Sequence, residues 1–222
     1  MNFLYPTLAP QDRFINILEH HLLPQLKDEN FKLLKTGPSL KATAQDGFEW
    51  IVQFDGRKFN VENHICRFNP YFLVRNSRYR RFLKKHPALT QNLGNTGQVG
   101  NTASIRHWDK TLFSATGTPA YFLEDNDFAK HDNLNLVDEM AKNIKTVGIP
   151  YFKMMSDFDS LRKFYEKTNG YGYAPVLIDL CYVLGKEEQV SSIFEWYDTD
   201  EDKSDWLNQK IDLRRKMWQD NK

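Results

Sequence analysis

The chain holds only two cysteines, Cys66 and Cys181, 115 positions apart in 222 residues. Small secreted domains stapled by disulfides carry more, so both are expected to be reduced thiols. Glycine and proline together make 20 residues, too few for a collagen-like or low-complexity chain. No stretch approaches the roughly 18 uninterrupted apolar residues that a membrane-spanning helix requires. The opening MNFLYPTLAP has neither the cationic start nor the continuous apolar run of a signal peptide. A cytoplasmic protein without membrane association is therefore the expectation. Net charge is also scarce: 30 Lys and Arg stand against 29 Asp and Glu, for +1 with His neutral. That excludes a uniformly basic nucleic-acid binder and leaves local patches open.

Signatures of chemistry are missing too. There is no GxxxxGK[ST], GxSxG, HExxH or CxxC, and no GxGxxG behind a strand. Gly94, Gly97 and Gly100 recur at three-residue spacing but lack the lysine and hydroxyl of a phosphate-binding loop. Asp198-Thr199-Asp200-Glu201-Asp202 copies the opening of a calcium loop. Lys203 then stands where the sharp turn needs glycine, and Gln209 where a bidentate Glu belongs. A solvated acidic turn is the better account, with Ser204 or Asp205 capping the next helix. His64 and Cys66 share parity on an expected strand, yet no companion pair completes a zinc site. His20 and His21 are adjacent on a helix and diverge by about 100°. Asp157, Asp159, Glu187 and Glu188 sit in first helical turns, where the helix dipole explains them. No catalytic residue, cofactor or metal is assigned, and the chain leans away from being an enzyme.

What is present is aromatic and periodic: 16 Phe, 10 Tyr and 5 Trp, enough for a sizeable core. Phe14, Leu18 and Leu22 recur at helical spacing over 10–26, with Pro24 expected to interrupt regular hydrogen bonding. Phe48, Trp50, Val52 and Phe54 alternate as one face of a strand, and Asp55-Gly56 reads as the following turn. Further strands are expected over 31–35, 40–44, 58–68 and 71–74. Asn76 or Ser77 should cap a short helix to Lys85 carrying Tyr79, Phe82, Leu83 and His86 as its apolar stripe. Residues 88–104 lose periodicity and read as a functional loop or a mobile segment, and a strand is expected around 108–113. Helices follow over 134–147 (stopped by Gly148), from Ser156, from Pro175 to Gly185, over 187–197 and over 205–219. The expected architecture is α+β: a helix and a four- to five-stranded antiparallel meander in 1–120, then about five helices in 132–220. Both portions are expected to form a single domain over 1–222.

The near-zero charge hides a division. Residues 1–120 hold 16 cations and 9 anions; residues 121–222 hold 14 and 20. Nine cations crowd into 57–85, namely Arg57, Lys58, Arg67, Arg75, Arg78, Arg80, Arg81, Lys84 and Lys85, against Glu62 alone. Such a strip suits phosphate, a nucleic acid or an acidic protein surface, with Tyr71, Phe72 and Tyr79 near enough to stack. It equally fits a solvated helix face, or a basic half docked on the acidic one.

The helix 14–26 with Lys27-Asp28-Glu29-Asn30-Phe31-Lys32 resembles the opening of a bacterial family known only as a domain of unknown function. Gly148-Ile149-Pro150-Tyr151-Phe152 with Ser156-Asp157-Phe158-Asp159-Ser160-Leu161 is a second point of resemblance. Leu180-Cys181-Tyr182-Val183-Leu184-Gly185-Lys186-Glu187-Glu188 is a third. The resemblance implies a bacterial origin and an α+β fold, and carries no catalytic residues. The functional expectation is a non-enzymatic binding protein using the strip 57–85, toxin neutralisation being one form. The alternatives are nucleic-acid binding by the same strip, and an enzyme whose site the 88–104 segment covers.

Overall fold

The alternation of Phe48, Trp50, Val52 and Phe54 builds the central strand of an antiparallel sheet. In the computed structural model, residues 1–34, 37–56, 60–61, 64–90, 96–112, 119 and 127–220 are described. Five strands, β1 (Lys32–Leu34), β2 (Ser39–Thr43), β3 (Phe48–Gly56), β4 (Phe68–Asn76) and β5 (Gln98–Asn101), pair in sequence order. Helices precede and follow the sheet, and the fold is α+β. Among the described residues, no helix is long and apolar enough to cross a membrane.

One sheet face carries the core. Phe48, Val52, Phe54, Phe72 and Val74 are buried there. Helix α1 (Pro10–Ile17) lays Phe14 flat on Phe68, 3.9 Å between ring centroids, and edge-on to Phe54. Phe152 of α5 (Ile149–Ser156) stacks on Trp50 at 5.6 Å and meets Phe72 edge-on at the same distance. Arg13 ties the amino-terminal segment down: its guanidinium donates to the carbonyls of Leu4 and Phe128 and to Asn133 Oδ1. The opposite sheet face is mixed: Lys41 Nζ lies 2.6 Å from Glu49 Oε1, and Ile51 is buried opposite Leu73. Both thiols are buried and free, and burial lifts Cys66 to about 11 and Cys181 to about 12.

Several punctuating residues act differently from their sequence reading. Asp55-Gly56 is not a turn: β3 continues through both, and Gly56 pairs with Phe68. A Cβ at Gly56 would lie 2.9 Å from the Phe68 ring, so this glycine serves close approach. The expected strand over 58–68 is absent among the described residues there, where Val61 and Ile65 form an isolated bridge. Cys66 N–H instead donates to Asp127 Oδ1, and His64 and Cys66 share no strand face. Pro70 lies inside β4, paired with Phe54, below the stretch that β5 pairs. The 88–104 segment is not structureless: it contains β5 and the start of α3 (Thr102–Trp108), which replaces the strand expected near 108. Lys110–Leu112 form a 3-10 turn instead of the rest of that strand, whose last position, 113, lies outside the described residues.

The helix stop at Gly148 is likewise corrected. Helix α4 (Asn133–Asn143) widens into a π-turn over Ile144–Gly148 and runs on as α5, with Pro150 in its first turn. A π-turn lets a helix pass a residue that lacks an N–H. The first helix also widens into a π-turn over Leu18–Leu22, but around Pro24 it tightens into a 3-10 stretch, Leu23–Glu29, kinked at Leu26, so regular α-helical hydrogen bonding ends there as expected. Asp157, not Ser156, caps the next helix, α6 (Phe158–Lys167), accepting from Ser160 N–H at 2.9 Å. The chain then forms α7 (Ala174–Leu184), closed by left-handed Gly185, followed by α8 (Val190–Asp198) and α9 (Asp205–Asp220). Ser204 Oγ accepts from Leu207 N–H at the start of α9.

Gly148 is helical, and a Cβ there would meet the buried Phe72 ring at 2.9 Å. Overpacking costs about 1–3 kcal/mol, while Gly to Ala in a helix returns about 1 kcal/mol. Gly148→Ala is therefore expected to lower unfolding free energy by up to ~2 kcal/mol in urea titration. In a Phe72→Leu background the same change should cost less, since the opposing ring edge is gone.

Candidate functional site

Helix α2 (Ser77–Lys85) reads SRYRRFLKK, five cations and no acid in nine residues. Asn76 caps it by accepting from Tyr79 N–H at 2.9 Å. Helical spacing of about 100° per residue turns Tyr79 and Leu83 inward and spreads the five cations over the remaining arc. Tyr79 and Leu83 are buried accordingly, and Arg78, Arg81, Lys84 and Lys85 are exposed. Of the five, Arg78 approaches a carboxylate, Asp46 at 3.5 Å, and both groups are solvated. Arg80, Arg81, Lys84 and Lys85 have no acidic partner among the described residues. Among the described residues no ion pair joins α2 to the acidic carboxy-terminal helices; the ion pairs between the two halves lie elsewhere, Arg67 with Asp127 and the amino terminus with Asp132. The acidic turn finds partners of its own: Arg215 holds both oxygens of Asp198 at 2.6 Å, and Lys203 lies at 3.8 Å.

The other cations of the strip are dispersed. Arg57 and Lys58 lie outside the described residues. Arg67 is engaged internally, its backbone bonded to Asn60 and its Nε 3.4 Å from Asp127 Oδ2. It stands at the opposite end of β4 from α2, about 30 Å away at strand rise. Arg75 stands opposite Glu49 in the sheet, with its Nε buried and without a hydrogen-bond partner among the described residues. What remains of the strip is one helix about 13 Å long.

No family model matches this chain, and neither does any curated protein or solved structure. The reading of the site rests on its geometry.

Helix α2 is held by a buried polar cluster. Asp179 of α7 is wholly buried and accepts from Arg214 Nε at 2.8 Å and from Arg214 Nη2 on its second oxygen. Tyr79 Oη donates to that second oxygen at 3.3 Å, tying α2 to α7 and α9. Arg214 also donates to the carbonyls of Pro175 and Lys210. Burial raises the Asp179 pKa, and the Arg214 guanidinium opposes that rise. Burial, reinforced by the Asp179 charge, pushes the Tyr79 phenol well above its ordinary value. Beside the cations runs a row of rings: His86 on Phe82 at 4.5 Å, Phe82 stacked on Tyr182 at 6.1 Å, and Tyr182 against Trp218 at 5.5 Å. The stripe Tyr79, Phe82 and Leu83 behaves as the sequence predicts, while His86 is exposed.

A cavity of about 260 Å³ does border the 88–104 segment, lined by Leu89, Thr96, Gln98, Tyr79 and Tyr173 among others. Its described lining supplies hydroxyls and an amide but no carboxylate, imidazole, thiol or ammonium to move a proton. Sequence reasoning also missed a second cleft, around Trp50, because its walls come from three distant segments.

Two expectations test the cluster that fixes α2. Arg214→Met leaves the Asp179 carboxylate uncompensated and should cost about 3–5 kcal/mol in urea unfolding. The double variant Asp179→Leu/Arg214→Met should recover most of that loss. Lys210 Nζ is buried 3.9 Å from the Trp206 ring centroid, without a hydrogen-bond partner among the described residues. Burial, with Arg214 nearby, lowers its pKa from 10.5 to about 8. The unfolded chain therefore keeps this proton at pH values where the folded chain has released it. The penalty is constant below pH 8 and fades as pH rises toward 10.5. Wild-type stability minus that of Lys210→Met should thus climb between pH 8 and 9.5, measured by urea titration at each pH; a flat difference would refute the assignment.

Proposed function

We propose that this chain is a non-enzymatic binding protein that grips an acidic protein surface through the solvent face of α2. The reading is supported by four neighbouring cations, Arg80, Arg81, Lys84 and Lys85, that no acid among the described residues neutralises. Unpaired like charges on a rigid, well-anchored helix steer an oppositely charged partner and set its register. A protein antagonist, as in toxin neutralisation, is one concrete form. The bacterial and cytoplasmic setting belongs to the same proposal, on the resemblance in 14–32, 148–161 and 180–188.

A second reading is favoured by the rings of His86, Phe82, Tyr182 and Trp218 beside the cations, since base stacking next to a basic helix suits single-stranded nucleic acid. The protein reading comes first because the balance of +1 and the surplus of acids in 121–222 disfavour a long polyanion.

Affinity capture from host cells at native expression, with nuclease present, should return a stoichiometric acidic partner. Arg81→Glu/Lys84→Glu/Lys85→Glu should weaken its binding at least about tenfold, an energy of ~1.4 kcal/mol. Lys142→Glu/Lys145→Glu, on the exposed side of α4 and its π-turn, should not. A chain that returns alone, or a partner indifferent to the triple reversal, sinks the protein reading. The nucleic-acid reading instead requires single-strand affinity whose logarithm falls with the logarithm of salt, by about 0.7 per phosphate contacted.

A further inference from the structure

A second concave site lies apart from the solvent face of α2. A cleft of about 540 Å³ opens between the start of β3, the end of α5 and the loop after α7. That volume falls within the ~300–1,000 Å³ of small-molecule sites. Its lining includes three aromatic rings, Phe48, Trp50 and Phe158, with Ser156 and the ammonium groups of Lys153 and Lys186. All of these residues are described.

The polar groups of the cleft are mostly committed. Trp50 donates its indole N–H to Ser156 Oγ at 2.7 Å, and Phe152 covers one indole face at a 14° interplanar angle. Trp50 is nevertheless only partly buried. It lines the cleft with a π system that has no donor left to satisfy. Asp157 is held by Ser160, whose bonds keep its carboxyl below the ordinary value. Asp46 faces Arg78. Lys186 lies 3.4 Å from Asp159 and 5.3 Å from the Phe158 ring centroid. Lys153, exposed at the rim, has no acidic partner among the described residues. The uncommitted features are thus the Trp50 ring, the Gln45 amide and the Lys153 ammonium.

We propose that this cleft binds a small planar aromatic molecule carrying one anionic group, a carboxylate or a phosphate. The ring stacks on Trp50 between Phe48 and Phe158, and the anion pairs with Lys153. Stacking supplies orientation by the quadrupole of the indole. The ammonium, a mobile point charge on a flexible stem, accepts either anion. The proposal goes beyond a macromolecular partner on α2 and does not depend on it.

Isothermal titration of the full chain with indole-3-carboxylate and with 1-naphthyl phosphate tests the site and separates the two anions. At least one should bind 1:1, and more tightly than indole or cyclohexanecarboxylate, which lack the charge and the ring respectively. Trp50→Ala should weaken binding by about tenfold, and Trp50→Phe, which keeps a ring, by less. Lys153→Gln, at an exposed position that leaves the fold intact, should weaken binding and flatten its salt dependence. The proposal is overturned if neither probe binds below millimolar concentration. It is equally overturned if the neutral or the non-aromatic control binds as well, or if Lys153→Gln changes nothing.

Discussion

A carboxylate taken out of water has to be met by donors, and Asp179 meets them from two directions. Arg214 reaches it from α9 with two N–H groups, and Tyr79 reaches it from α2 with a hydroxyl. Each donor is itself buried, so none can be withdrawn without leaving a charge stranded. Through this one group α2, the cation-bearing helix that follows β4, is oriented against the carboxy-terminal helices. The placement of the charged surface follows from the need to satisfy Asp179. Lys210, one turn before Arg214, shows the cost of living nearby: it is buried with no acceptor among the described residues and is pushed toward its neutral form.

Aromatic packing sets the rest of the architecture. Phe152 alone touches Trp50, Phe72 and Phe31, so α5 and the sheet share a set of rings rather than a simple aliphatic layer. Rings this large leave little room for backbone at the same height. Gly56 lies under Phe68 and Gly148 against Phe72, each where a methyl group would collide. The two π-turns complete the picture. The π-turn before Pro150 lets its helix run on as α5, whereas the one before Pro24 leads into a kinked 3-10 stretch.

These contacts explain what could be read along the chain and what could not. The alternation in β3, the Asn76 cap, the Gly185 stop and the order of sheet and helices follow from local periodicity, and all stand in the structure. Gly56 and Gly148 look like a turn and a stop because glycine is the usual punctuation there. Their true role depends on an aromatic ring from elsewhere in the chain, which no local pattern contains. β5 was hidden for a similar reason: its Gln98-Val99-Gly100-Asn101 has no alternation, and pairing with β4 makes it a strand. Cations are legible as cations, so the surface of α2 was visible in sequence. Their pairing was not, and Arg67 proved to belong to Asp127. The Trp50 cleft was invisible, since residues 44–50, 153–158 and 184–186 meet only after folding.

The cationic helix carries a liability of its own. Arg78 and Arg81, Arg80 and Lys84, and Arg81 and Lys85 stand three or four positions apart, where like charges repel by a few tenths of a kcal/mol per pair, roughly 0.2–0.5. The helix dipole returns part of this at Lys84 and Lys85, which lie in the last turn. The remainder is a standing tension that the Tyr79 anchor has to outweigh. Anything that screens or neutralises the surface relaxes it, whether dissolved salt or an acidic partner. A helix so charged gains stability from whatever neutralises its surface.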